Sequence, residues 1–151
     1  MIVSDSTTPI VLLDLKRTEL LSNIFNQIIL PQAVYDEVTV KYKTTLLSFM
    51  VVKKVEPSEM LDTLKQLLDE GESEAIAIAL ALKKPLIIDE KKGRKIALRE
   101  GLEIIGLLGV VYLNIKKEYI STAEARTFID DAMAHGYRIS TVLIEQMFDR
   151  V

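Results

Sequence analysis

Three short, largely aliphatic runs, Ile2-Val3-Ser4, Ile28-Ile29-Leu30 and Leu86-Ile87-Ile88, limit what this chain can fold into. Each is too short for a helix, and none alternates with polar residues as a half-exposed strand would. Strands that are apolar on both faces must be covered on both faces. The stretches between them carry helical spacing instead. Leu20, Leu21, Ile24 and Phe25 recur at that spacing, and Val34 and Val38 mark the inner side of a helix opened by Pro31. Ser58 caps a helix with Leu61, Leu64, Leu67 and Leu68 on its stripe and Gly71 as its stop. Glu72 to Leu82 is apolar on nearly every side, so that helix is buried on most of its surface. Further helices are expected at Arg94 to Glu100 and Leu107 to Lys117, with a strand from Glu103 to Ile105. Leu46 to Val55 reads as helix followed by a strand at Met50 to Val55. Ser121 and Glu124 form a capping box for a helix ending near Gly136, and Ser140 caps a last helix with Val142, Leu143 and Met147. Strands alternating with helices predict an α/β fold: three layers, α/β/α, around a short parallel sheet.

The chain of 151 residues, 49% hydrophobic, suffices for one packed domain. Residues 1 to about 118 form its core and residues from about 119 to 151 a C-terminal helical extension. Cysteine is absent, which excludes disulfides, thiolate metal sites and a cysteine nucleophile, and fits a cytoplasmic setting. A single histidine, His135, excludes a multi-histidine metal site. Any bound metal must take oxygen ligands, as Mg²⁺ or Mn²⁺ does. No signal peptide or membrane span is expected. The net charge of −3 gives no bulk attraction to nucleic acid, though local patches can dominate the field.

Two of the aliphatic runs end in acid. The first stops at Asp5, and the third at Asp89 with Glu90 beside it. Ligand sites in doubly wound sheets lie outside the carboxyl ends of the strands. If the two runs are neighbours, their carboxylates sit within several ångströms and repel. A divalent cation between them removes the conflict; helix capping is the competing use of each acid alone. Glu72 and Glu74 open the buried helix. Glu72 can favour the helix dipole from the surface, whereas Glu74 enters the core and needs a partner. Glu37 flanks the Val34–Val38 stripe, where a solvated glutamate is the ordinary outcome. Lys91, Lys92, Arg94 and Lys95 crowd a helix start, where the dipole disfavours cations; they form either a solvated basic face or a grip on a phosphate backbone.

Together, Val3-Ser4-Asp5-Ser6-Thr7, Leu30 to Val38, Gly71-Glu72-Ser73-Glu74-Ala75-Ile76-Ala77, Leu86 to Glu90 and Ile105-Gly106-Leu107-Leu108-Gly109 resemble a PIN domain over nearly the whole chain. The pattern is similar to a prokaryotic subfamily akin to VapC-like toxins. The resemblance implies a metal-dependent ribonuclease with Asp5, Glu37, Glu74 and Asp89 as its acids. Asp5, Glu74 and Asp89 would then hold one or two Mg²⁺ or Mn²⁺ ions, and Glu37 would orient a water or a second ion. Ser6 or Thr7 would match the family's hydroxyl beside the first aspartate. Either Asp89 or Glu90 fits the fourth place, with Asp89 preferred because it directly ends the apolar run. Ser6, Thr7, Lys91, Lys92 and Arg94 become candidates for RNA contact. The implied partners are an RNA substrate, a second copy in a homodimer and a small antitoxin protein. The rival reading within the fold is a catalytically inactive RNA- or protein-binding module. A phosphorylated receiver domain is disfavoured, because Pro31 rather than aspartate follows Ile28-Ile29-Leu30.

Overall fold

A computed structural model describes residues 1–42 and 47–151. Among them, β1 (Ile2–Ser4), β2 (Ile28–Pro31), β3 (Met50–Lys53), β4 (Leu86–Ile87) and β5 (Ile104–Ile105) form one sheet in the order β3-β2-β1-β4-β5. All its pairings are parallel, with Val3 opposite both Ile29 and Leu86. The chain runs outward from β1 to β3, then crosses back to lay β4 on the other side of β1. The switch point of this doubly wound sheet therefore lies between β1 and β4.

Alternate residues of the strands face opposite helical layers. Ile2, Ile28, Leu30 and Ile87 join one core. It also takes in Val11 and Leu12 of α1 (Thr7–Asp14), Leu20 and Leu21 of α2 (Glu19–Ser22) and Val34 and Val38 of α3 (Gln32–Lys41). α7 (Leu107–Lys116), α8 (Thr122–Ala134) and Met147 of α9 (Thr141–Asp149) complete that layer. Val3, Ile29, Leu86 and Ile88 meet the opposite layer of α4 (Glu59–Leu67), α5 (Glu70–Leu82) and α6 (Lys91–Arg99). Burial on both sides explains why these runs carry no polar alternation. The three-layer α/β/α fold is the expected one, and no helix of the described residues is long and apolar enough to cross a membrane.

The local chemistry of the helix starts is largely as expected. Ser58 Oγ accepts from Leu61 N–H at 3.0 Å, and the Ser121–Glu124 capping box is complete. Ser140 Oγ accepts from Leu143 N–H, although Val142 and Leu143 themselves face solvent. Gly71 departs from expectation. The break after α4 falls at Leu68, which is extended, and Asp69 starts α5 by accepting from Glu72 N–H at 2.8 Å. Gly71 thus sits in the first turn of α5 rather than after α4. The strand expected to reach Val55 ends at Lys53, and Leu46 lies outside the described residues. α6 begins at Lys91, ahead of the expected Arg94, because Glu90 caps it.

The C-terminal helices are tied to the core by polar contacts. Buried Asn114 on α7 donates to the carbonyls of Leu20 and Val110, both at 2.8 Å. Tyr137, past α8, donates to Asp14 at the end of α1, 2.7 Å away.

Candidate functional site

The β1–β4 pairing brings the two strand-end acids to one edge. Asp5 N–H donates to Ile87 O at 2.9 Å, which places Asp5 beside the turn that carries Asp89. Asp5 is only 5% exposed. Burial pushes its carboxyl up to about 7; the Ser6 N–H opposes that rise, and the charges of Asp69, Glu37 and Asp89 add to it.

Each neighbouring acid is held by a specific donor. Glu37 reaches the site from α3, where its Oε2 accepts from Ser6 Oγ at 2.7 Å. Asp89 is held from two sides: Thr8 Oγ1 donates to its Oδ2 at 2.7 Å, and the Leu107 N–H at the start of α7 donates to its Oδ1 at 2.8 Å. Glu90 accepts from Gly93 N–H at 2.8 Å as the cap of α6, which lowers its pKa. The backbones of two glycines approach these acids. A Cβ on Gly71 would stand 3.4 Å from Glu37 Oε1 and 3.5 Å from Asp5 Oδ1, so both acids close on that backbone. A Cβ on Gly106 would meet Asp89 Oδ1 at 2.7 Å, too close for any side chain.

Of the two acids of α5, Glu72 departs from expectation and Glu74 does not. Glu72, expected at the surface, is 6% exposed, because the first turn of α5 runs under α6. Among the described residues its Oε2 has no donor. Burial pushes its pKa up to about 9, and contacts with the Asp69 and Glu90 carboxylates, which require Glu72 to keep a proton, raise it further. Glu74 has the partner it needed: Oε1 accepts from Ala33 N–H at 3.0 Å, in the first turn of α3. It lines a cleft of ≈ 580 Å³ with Gln32, Ala33, Asp36, Glu37, Asp69, Glu70 and Gly71.

Of the expected residues, the fold gathers Asp5, Glu37 and Asp89, with Glu74 on the cleft wall beside Glu37. Thr7 is exposed, and Ser6 is engaged with Glu37. Arg94 Nη1 donates to Ile88 O at 2.6 Å, so this cation braces the β4 turn. Asp69, Glu72 and Thr8 carry weight that sequence reasoning did not assign. Asp69 and Glu72 stand in helix-start spacing, which was the available signal. Nothing local to Thr8 announces its contact with Asp89.

Among the described residues, no three His, Asp or Glu side chains form a ready-made ligand cage. The donor set nevertheless suits a hard divalent ion. It is all oxygen, it is crowded with like charge, and it holds one buried carboxylate oxygen without a partner.

A doubly wound sheet with acids from β1, α5 and β4 at its switch point defines a three-layer α/β protein with a carboxylate-lined site. The family model described as PIN domain matches residues 1–151, and the chain belongs to the PIN-domain family. No curated protein matches it. PIN domains are in general nucleases that use divalent metals.

Proposed function

We propose that the protein is a metal-dependent endoribonuclease that hydrolyses RNA phosphodiester bonds, acting as the toxin of a toxin–antitoxin pair. One observation carries the metal dependence of this reading: among the described residues, Asp5 and Glu72 are buried beside further carboxylates and no ion pair reaches them. Such crowding destabilises a fold unless the acids take up protons or a cation.

Asp5 and Asp89 are the acids proposed to hold Mg²⁺ or Mn²⁺. On α5, Glu74 is proposed to join them through its second oxygen, Oε1 being held by the α3 backbone, and Glu72, whose Oε2 is buried without a donor among the described residues, is a further candidate. When bound, the ion supplies a Lewis acid that acidifies water and offsets charge on the leaving oxygen. Glu37, exposed at the mouth and oriented by Ser6, positions water or substrate there. Glu74 holds the first turn of α3 and with it the helix that carries Glu37. The toxin role, the homodimer and the antitoxin partner rest on resemblance to VapC-like proteins.

A binding module without turnover is the second reading. It is favoured by the lack of a ready ligand cage among the described residues and by Asp89, both of whose oxygens already accept hydrogen bonds. The deciding experiment offers structured and single-stranded RNA with Mn²⁺ or Mg²⁺ to the wild type, Asp5→Asn and Glu72→Gln. Metal-dependent cleavage that both substitutions abolish is expected. Metal-dependent RNA binding with no cleavage by any of the three would overturn the nuclease reading.

A further inference from the structure

Helix α6 is segregated in charge. The segment Lys91 to Arg99 contains five basic residues and no acid, in a chain whose acids outnumber its bases 22 to 19. Lys91, Lys92, Lys95 and Arg99 are all exposed, as is Leu98 at 58%. At 3.6 residues per turn, these five side chains fall within about 120° of the helix circumference. Gly93, Ile96 and Ala97 face the core. Arg94 stands apart, spent on the Ile88 carbonyl. Ion pairs of the described residues join Arg17 to Glu19 and Lys65 to Glu70, and none involves this face. Packing does not require the stripe, because the opposite side of α6 does the packing.

The stripe also has a direction. It starts beside Asp89 and Glu90, and Lys91, Lys95 and Arg99 then climb the helix at about 6 Å per step. Cations in the first turn work against the helix dipole, so their placement there calls for a compensating use.

We propose that this face is a track for the phosphate backbone of single-stranded RNA, leading away from the carboxylate site; the proposal rests on the nuclease reading above. The row of cations follows successive phosphates, and Leu98 offers apolar surface to a sugar or an unstacked base. Burial of the acids selects the single strand. Asp5 and Glu72 are 5% and 6% exposed, so a phosphodiester must bend inward from the helix surface to reach them. A flexible strand makes that bend, whereas a stiff duplex does not without being opened.

The test is fluorescence anisotropy with a labelled oligouridine of about 12 nucleotides, a length suited to one groove-sized site. The full chain is held in EDTA, so that no strand is cut, while salt runs from roughly 50 to 250 mM. Replacing three phosphate-neutralising cations in Lys91→Gln/Lys95→Gln/Arg99→Gln is expected to weaken binding at least about 10-fold and to reduce the log–log salt slope by about 2. Lys116→Gln/Lys117→Gln is expected to leave both values unchanged, and Lys91→Arg/Lys95→Arg to preserve them. If the triple variant melts abnormally by circular dichroism, Lys95→Gln alone is read instead, with an expected slope loss of about 0.7. A wild-type slope in the glutamine variants overturns the track. Binding of an RNA duplex as tight as that of the single strand, with the same slope loss, overturns the assignment to single strands. Because no metal is present, this result is independent of turnover: RNA bound with the expected slope but never cleaved when metal is supplied would remove the nuclease reading alone.

Discussion

Replacing Asp5 with asparagine should make the metal-free protein more stable. An aspartate carboxyl normally titrates near 4, and burial pushes that of Asp5 up to about 7. The folded chain therefore holds this proton more tightly than the unfolded chain does. Between about pH 4 and pH 7 the wild type loses stability as pH rises, and above 7 the loss is complete. At 1.36 kcal/mol per pH unit, the buried carboxyl costs about 4 kcal/mol at pH 8, where it is ionised, and about 2 kcal/mol at pH 5, where the folded chain must keep the proton. Asparagine keeps an acceptor for the Ser6 N–H and removes the charge. In EDTA, Asp5→Asn should exceed the wild type by about those amounts in urea unfolding, and by about 10 °C in Tm at pH 8. Mn²⁺ should reverse the order, because only the wild type gains binding energy from the ion. A variant no more stable than wild type at pH 8, or one whose gain is equal at pH 5 and pH 8, would refute the account of Asp5 as a buried, uncompensated charge.

Thr8→Val keeps the shape of Thr8 but removes the hydroxyl that holds Asp89 Oδ2. It should lower kcat by about 10-fold, equivalent to one lost positioning hydrogen bond, while Thr8→Ser restores the rate; unchanged turnover would detach Thr8 from the site. Asn114→Ala leaves the Leu20 carbonyl without its donor inside the core, and chemical denaturation should show a loss of about 2–3 kcal/mol. Gly93→Ala improves helix propensity by about 1 kcal/mol, yet its Cβ would stand 2.7 Å from both Glu72 Oε2 and Ile88 Cδ1. A net fall in Tm together with weaker Mn²⁺ binding by calorimetry is expected, and a stabilised variant with intact metal affinity would contradict the proposed packing of Glu72.

The layer order was legible in the sequence because doubly buried strands leave an unmistakable pattern, as in Leu86-Ile87-Ile88. Asp5 and Asp89 were legible for the same reason, since each ends such a run. The acids of α5 were harder to assign. Glu72 and Glu74 differ in sequence only by one flanking serine, and which of them lies under α6 depends on how two helices cross. Gly71 looked like a helix stop because glycine commonly is one; in the fold it sits in the first turn of α5 beside Asp5 and Glu37, residues remote in sequence. Thr8 was silent, because its contact joins the first turn of α1 to the end of β4, and only the β1–β4 pairing brings those together.

That pairing also governs when the site can exist during synthesis. Val3 finds Leu86 only after β2, β3 and the five helices α1 to α5 have been made, so the closure spans more than half the chain and is slow to form. Asp89 is then secured by the Leu107 amide, later still. A nascent chain stalled before α7 would hold Asp5, Glu37 and Glu72 without the anchored Asp89. The proposed activity would therefore be withheld from translation products that end before α7, so such a truncated chain would be harmless to the RNA around it, including its own message.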